Sequence, residues 1–173
     1  MAPEIDAITG AAVMYIRSRK HGTFRVLIDR EDWPRVTAQH WWASVRNDRV
    51  YFLAKLRGSG RHVTLHRFIM GEPEGLQVDH IRHNYCDNRK SQLRSATQLQ
   101  NNANTRKVPG TTSPYKGVSR YKDKWQVGIK WNGKQKHLGH CPGTPEGEIN
   151  CARLYDSAAR ELHGEFALTN FPA

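Results

Sequence analysis

The run GVSRYKDKWQVGIKWNGKQKHL, Gly117 to Leu138, decides the fold class of this chain. It contains three stretches of alternating character: Gly117-Val118-Ser119-Arg120-Tyr121, then Trp125-Gln126-Val127-Gly128-Ile129-Lys130, then Lys134-Gln135-Lys136-His137-Leu138. Successive side chains of a strand point to opposite faces, so Trp125, Val127 and Ile129 share one face while Gln126, Gly128 and Lys130 share the other. Lys122-Asp123 and Asn132-Gly133 supply the turns, and Asn-Gly is a strong two-residue hairpin signal because that turn needs positive φ at both central positions. Further on, Thr144-Pro145-Glu146 starts a helix with Thr144 as cap and Pro145 at the first position. Ala152, Tyr155, Ala159 and Leu162 fall on one side of it, and Gly164 is placed to end it. The expectation is a three-stranded antiparallel sheet packed on one helix, with the other sheet face open and basic.

Upstream, Val108-Pro109-Gly110-Thr111-Thr112-Ser113-Pro114 has two prolines and no apolar periodicity, the composition of a linker, and a domain boundary is expected there. Before it the chain reads as short β-prone runs: Val13 to Ile16, Thr23 to Ile28 and Tyr51 to Leu56. Asp29 is expected to cap a short helical turn through Trp33. Trp41-Trp42 is read as core or half-buried packing, because an indole buries so much area. Val63 to Met70 is expected to be a helix with Leu65, Phe68 and Ile69 on one face, ended by the glycines after it. Leu76-Gln77-Val78 reads as a short strand leading into Asp79-His80, and Ser95 to Asn104 as a polar helix, with a loop rich in Asn, Asp and His between them.

Lys and Arg outnumber Asp and Glu by 27 to 16 in the 173 residues, a formal charge of +11. Such an excess favours a polyanionic partner, nucleic acid or an anionic membrane surface. No apolar run approaches the roughly 20 residues that span a bilayer, and the N-terminus lacks the charged start and apolar core of a signal peptide. A cytoplasmic protein without a membrane partner is expected. Cys86, Cys141 and Cys151 are far apart and form no Cys-x-x-Cys pair, so they read as free thiols.

Hydrolysis of a phosphodiester needs an activated water, shielding of the phosphate charge and stabilisation of the departing alkoxide. One imidazole acting as general base and one divalent metal acting as Lewis acid supply all three. A carboxylate beside the His, with an amide oxygen from a following helix, makes a hard oxygen site suited to Mg or Mn. Asp79-His80 followed by a helix carrying Asn101 has that layout. His62, His66 and His83 read as structural or surface residues, with His83 kept as a rival base because it is close in sequence.

Leu65-His66-Arg67-Phe68-Ile69-Met70, Pro73 to Ile81 with Asp79-His80 inside it, Asp87-Asn88-Arg89, Leu93-Arg94-Ser95-Ala96-Thr97 and Asn101-Asn102-Ala103-Asn104 together resemble an HNH homing endonuclease of phages and mobile introns. The resemblance implies that Asp79 and Asn101 hold the metal and that His80 is the general base. Asn88 is counted with the catalytic set, although an Asn in a loop more often bonds its own backbone. The family's middle Asn, which precedes the Leu-Arg pair, is here Gln92. Gln keeps the amide and moves it by about one methylene, and a catalytic network can lose orders of magnitude to a displacement of about 1 Å.

Ser113 to Val118, Lys124-Trp125, His137-Leu138-Gly139, Ala152 to Ala159 and Leu168-Thr169-Asn170-Phe171-Pro172 resemble the AP2 DNA-binding domain, whose open sheet face enters the major groove. That resemblance places the reading positions at Lys116, Ser119, Tyr121, Gly128, Lys130, Gln135 and His137. Several of these are Arg, Glu or Trp in the plant members, so a different base preference follows.

Taken together, these readings give an α+β chain. An N-terminal β-rich region (1–60) leads into a ββα-metal HNH module (61–107), a linker (108–114) and an AP2-like domain (115–173). The expected function is that of a site-recognising, strand-nicking DNA endonuclease of homing type, monomeric, acting on double-stranded DNA with one divalent metal, Mg or Mn, in the cytoplasm of a phage's or mobile element's host. The alternative is a DNA-binding protein whose nuclease module is attenuated or inactive through Gln92. A second rival is an RNA-binding protein, motivated by the same charge and by Trp and Tyr residues able to stack on bases.

Overall fold

A computed structural model describes residues 2–46 and 49–172. They form two compact units, residues 1–97 and 98–173, and the architecture is α+β, with small antiparallel sheets and few helices. Among the described residues, no helix is long and apolar enough to cross a membrane.

The first unit opens with β1 (Glu4–Ile5), β2 (Ala12–Ser18) and β3 (Gly22–Ile28), paired in that order. A 3-10 turn (Arg30–Asp32) and α1 (Trp33–Thr37) follow. A second sheet consists of β4 (Trp41–Arg46), β5 (Arg49–Lys55) and β6 (His62–Thr64). After α2 (Leu65–Ile69), β7 (Gln77–His80) pairs with β8 (Leu93–Ala96). Val26, Ile28, Val36, Ala54 and Leu65 are fully buried in one cluster with Trp41, Phe52, Val63 and Ile69. Trp41 is thus a core residue, and its indole N–H, donating to the carbonyl of Val36 at 2.8 Å, is not left unsatisfied.

Four local expectations shift, each for a stated reason. Val63, expected in a helix, belongs to β6: it is β-branched and pairs with Ala54, so the helix starts only at Leu65. Asp79 and His80 lie inside β7 and not after it, because β8 pairs with all four of its residues. Ser95 and Ala96, expected in a helix, are that partner strand; without it the buried N–H and C=O groups of β7 would be orphaned. Asp29 makes no cap bond to its own 3-10 turn. Its carboxylate accepts instead from the backbone N–H of Lys90 at 2.8 Å, at the start of a second 3-10 turn, Lys90–Gln92. Cys86, Cys141 and Cys151 are free thiols, as expected.

The second unit holds α3 (Gln98–Ala103), the antiparallel strands β9 (Val118–Tyr121), β10 (Lys124–Trp131) and β11 (Lys134–Pro142) with β10 central, and α4 (Pro145–His163). Residues 108–114 fall within this unit; Ser113 is buried there and the ammonium of Lys107 donates to the carbonyls of Tyr115 and Val118. Asn132 and Gly133 both have positive φ, as their hairpin requires. Thr144 caps α4 by accepting from the N–H of Gly147 at 3.1 Å, Pro145 sits at its start, and Gly164 (φ 53°) ends it. Cys151, Ala152, Tyr155 and Ala159 of α4 pack on Val118, Trp125, Val127 and Ile129. Gly117 (φ 79°) has to lack a side chain, since a Cβ there would stand 2.0 Å from the ring of Tyr155.

The chain end is held by Asp156, 2% exposed. Its carboxylate accepts from the backbone N–H groups of Asn170 (2.7 Å) and Phe171 (2.9 Å), while the Asn170 side chain pairs with the backbone of Lys116. Asp156→Ala strips several buried donors of their acceptor and is expected to destabilise this unit by about 2–4 kcal/mol. Urea denaturation followed by tryptophan fluorescence measures this; a loss under about 0.5 kcal/mol, the level of an ordinary surface change, contradicts the assigned role.

Candidate active site

Strand geometry puts Asp79 and His80 on opposite faces of β7, and both are buried, at 7% and 6% exposure. Asp79 stands directly across from Arg94 of β8, whose guanidinium reaches Oδ2 at 3.1 Å. His80 stands across from Leu93, with Nε2 3.3 Å from Oδ1 of Asn88. Asn88, fully buried, is held twice more: its backbone N–H donates to the carbonyl of Leu27 at 2.8 Å, and its Nδ2 donates to the carbonyl of Tyr85 at 3.0 Å. The loop from Cys86 to Asn88 is thereby laced to β3, since the N–H of Leu27 also donates to the carbonyl of Cys86.

These bonds decide the tautomer of His80. With Nδ2 committed to Tyr85, the amide must present its oxygen to the imidazole, and an amide oxygen only accepts. Nε2 therefore carries the proton, and in the neutral ring the lone pair lies on Nδ1. Burial pushes the pKa of His80 below the ordinary histidine value, opposed by the bond to Asn88 and the charges of Asp79 and Asp87. The ring is walled edge-on by Tyr85 (centroids 5.4 Å apart) and His66 (5.1 Å). His66 is driven down to about 3 by burial, then by His80 and Arg67, and its Nε2 lies 3.2 Å from the Thr64 hydroxyl. It is a neutral wall of the site. The arrangement can keep an imidazole neutral and fix which nitrogen takes a proton, with a carboxylate at the preceding position on the other face of the strand.

The other expected residues are placed as follows. Gln92 ends the 3-10 turn, half-buried; its backbone carbonyl accepts from the N–H of Ile81 at 3.0 Å and extends the β7–β8 ladder. His83 lies in a tight turn at φ 56°, its N–H donating to the carbonyl of His80. Asn101 is half-buried on α3, in the second unit. Two residues had no site role in the sequence reading: Tyr85, whose carbonyl orients Asn88, and Arg94, quoted only within a motif, whose position opposite Asp79 follows from a register that only β8 reveals.

On the C-terminal sheet, Ser119, Tyr121, Gly128, Lys130, Gln135 and His137 share the open face, by the registers Gln126↔Ser119, Gly128↔His137 and Lys130↔Gln135. Lys116 is turned elsewhere: its ammonium donates to the carbonyl of Ala103 and lies 5.9 Å from the Tyr155 ring centroid, and burial lowers its pKa to about 8. Gln126 lies on this face as its alternation requires, and His140 joins it unexpectedly. Alternation counted from His137 assigns His140 to the core side, but the register shifts between Val127 and Gly128, leaving Leu138 unpaired as a bulge. His140 returns to the open face, 4.5 Å from the ring of His137 and 5.7 Å from that of Tyr121.

No family model matches the chain, and no solved structure does. The chain is similar to an uncharacterised HNH endonuclease of Acanthamoeba polyphaga mimivirus, 33% identical over 160 residues that cover 88% of this chain and 77% of that protein. The Asp-His strand, its Asn-bearing loop and a relative of this extent agree on one assignment: the chain belongs to the HNH endonuclease family.

Proposed function

We propose that the chain is a metal-dependent DNA endonuclease of homing type that nicks one strand, with His80 as general base. The observation carrying this reading is the locked tautomer: a buried, neutral imidazole whose Nε2 is engaged by Asn88, so that Nδ1 takes the proton of the attacking water. Asn88 positions that ring, and Tyr85 and His66 keep bulk water from it.

The donor chemistry at Asp79 fits a hard divalent cation such as Mg or Mn: a buried carboxylate beside an imidazole. A carboxylate accepts several partners at once, so its bond to Arg94 is compatible with a shared cation. Among the described residues no three His, Cys, Asp or Glu side chains cluster to hold an ion. Completion of the site therefore falls to amide and phosphate oxygens. The bound metal supplies Lewis-acid stabilisation of the phosphate and of the departing oxygen. The open face carrying Ser119, Tyr121, Gln126, Lys130, Gln135, His137 and His140 is proposed to contact double-stranded DNA, with its lysines on phosphates and its amides and imidazoles on base edges.

Plasmid nicking with Mg tests the reading. The chain is expected to convert supercoiled to open-circular DNA, and His80→Ala to lower the rate by about 10²–10⁴-fold while duplex binding persists. Gln92→Asn is expected to nick at least as fast as the parent; no cleavage by either protein leaves a DNA-binding protein only, and cutting retained in His80→Ala points to His83.

The pH profile supplies a separate check. A base whose folded pKa is depressed stays neutral as pH falls through 6.5, so the acid limb of kcat is expected below the ordinary histidine value. Asn88→Asp places a carboxylate against the ring, favours the imidazolium, and is expected to move that limb upward by roughly one pH unit or more. A limb unmoved by Asn88→Asp contradicts the Asn88–His80 contact as the tuning element.

A further inference from the structure

The outer face of the β4–β5–β6 sheet is a second basic surface, on the same unit as His80 and unused by the mechanism above. Its inner face buries Trp41, Ala43, Phe52, Ala54 and Val63. Alternation sends the remaining side chains outward, and the registers Arg46↔Arg49, Ser44↔Tyr51 and Leu53↔Thr64 set them side by side. There they line a groove of about 630 Å³ formed by Ser44, Arg46, Arg49, Tyr51, Leu53 and Thr64. Among the described residues no acidic side chain lines it, while two guanidinia and three hydroxyls do.

The groove leads to the candidate base by two routes. Tyr51 stacks on Tyr85 with centroids 6.4 Å apart and an interplanar angle of 30°, and Tyr85 packs against His80. Thr64 meets His66, which also packs against His80. We propose that this groove binds the phosphodiester backbone of the DNA substrate beside the scissile phosphate, Arg46 and Arg49 pairing with phosphates and Ser44, Tyr51 and Thr64 donating to their oxygens. Guanidinium is suited to this because its planar fork matches phosphate geometry. Directly opposed arginines repel one another when no anion lies between them, and a phosphate relieves that repulsion. The role as a substrate groove rests on the nuclease reading; the binding itself does not.

The test is duplex binding by the full chain over a salt series, with a chelator present so that nothing is cut. Each phosphate contact contributes about 0.9 to the slope of log affinity against log salt, so Arg46→Ala/Arg49→Ala is expected to flatten that slope by about 1.8. Arg46→Lys/Arg49→Lys is expected to keep it. Arg17→Ala/Arg19→Ala, on an exposed stretch at the end of β2, is expected to leave it unchanged. Both residue pairs are exposed, and an unaltered thermal midpoint shows that each variant is folded; Arg46→Gln/Arg49→Gln replaces the alanine pair if that one is not. An unchanged slope in the alanine pair, or an equal loss in the Arg17/Arg19 pair, overturns the groove. Nicking by the parent is scored apart. A flattened slope with a parent that never nicks leaves a DNA-binding groove and removes the nuclease reading, while a nicking parent with an unchanged slope does the reverse.

Discussion

The amide of Asn88 is the contact on which the candidate centre depends. Its backbone N–H is tied to Leu27, its Nδ2 to Tyr85 and its Oδ1 to His80, and no part of the residue meets solvent. A fully buried amide left short of a partner costs about 1–3 kcal/mol, so each of these bonds is enforced by the others. The first sheet, through β3, thus reaches the imidazole by way of one side chain. The chemistry sits in the 77–96 hairpin, and its geometry is set by Leu27 of β3, far earlier in the chain.

The same enclosure has an energetic cost. His80 and His66 are held neutral by burial, in edge-on contact with each other and, for His80, with Tyr85. A histidine whose folded pKa lies below its unfolded value contributes stability that is fully present above about 6.5 and is lost as pH falls toward the folded value, at up to about 1.4 kcal/mol per pH unit for each ring. A neutral base at moderately acid pH is therefore obtained through a core that weakens under acid. The cross-strand pair of Asp79 with Arg94 lies on the other face of β7, one residue from an imidazole that burial holds neutral.

What the sequence disclosed follows from the range of the forces involved. The β9–β11 meander and α4 were legible because alternation, Asn132-Gly133, Thr144-Pro145 and Gly164 are local signals that agree with one another. The Asp79-His80 pair was legible as a motif. Its surroundings were not: β8 is Leu93-Arg94-Ser95-Ala96, four residues with no alternation of polarity, and it is a strand because β7 needs a partner. Asp29 shows the same limit from the other side. Its sequence context fits a cap, but the N–H of Lys90, 61 residues away, is the donor it meets. Neither Tyr85 nor Arg94 carries a spacing signal, since one acts through a backbone carbonyl and the other through strand register.

The bulge at Leu138 carries the same argument into recognition. An extra residue in one strand of a pair rotates everything beyond it to the opposite face, so a single insertion decides whether His140 packs inward or stands beside His137 and Tyr121. Cys141 rotates with it and becomes a core residue packed among those of α4. The open face that results has amides and imidazoles at its centre and Lys130 and Lys124 along β10, a surface better suited to discriminating between base edges than to holding phosphates. The arginines of the β4–β5 sheet have the complementary chemistry, since guanidinium binds phosphate strongly without reading sequence. The proposed function, finding one site among many and then cutting it, needs both, and a residue optimised for one serves the other poorly, because phosphate affinity spread over the reading face raises non-specific binding as fast as specific binding. The proposed division sets guanidinium anchors on the β4–β5–β6 sheet and amides and imidazoles on the β9–β11 sheet, whose own lysines still contribute to the charge of +11.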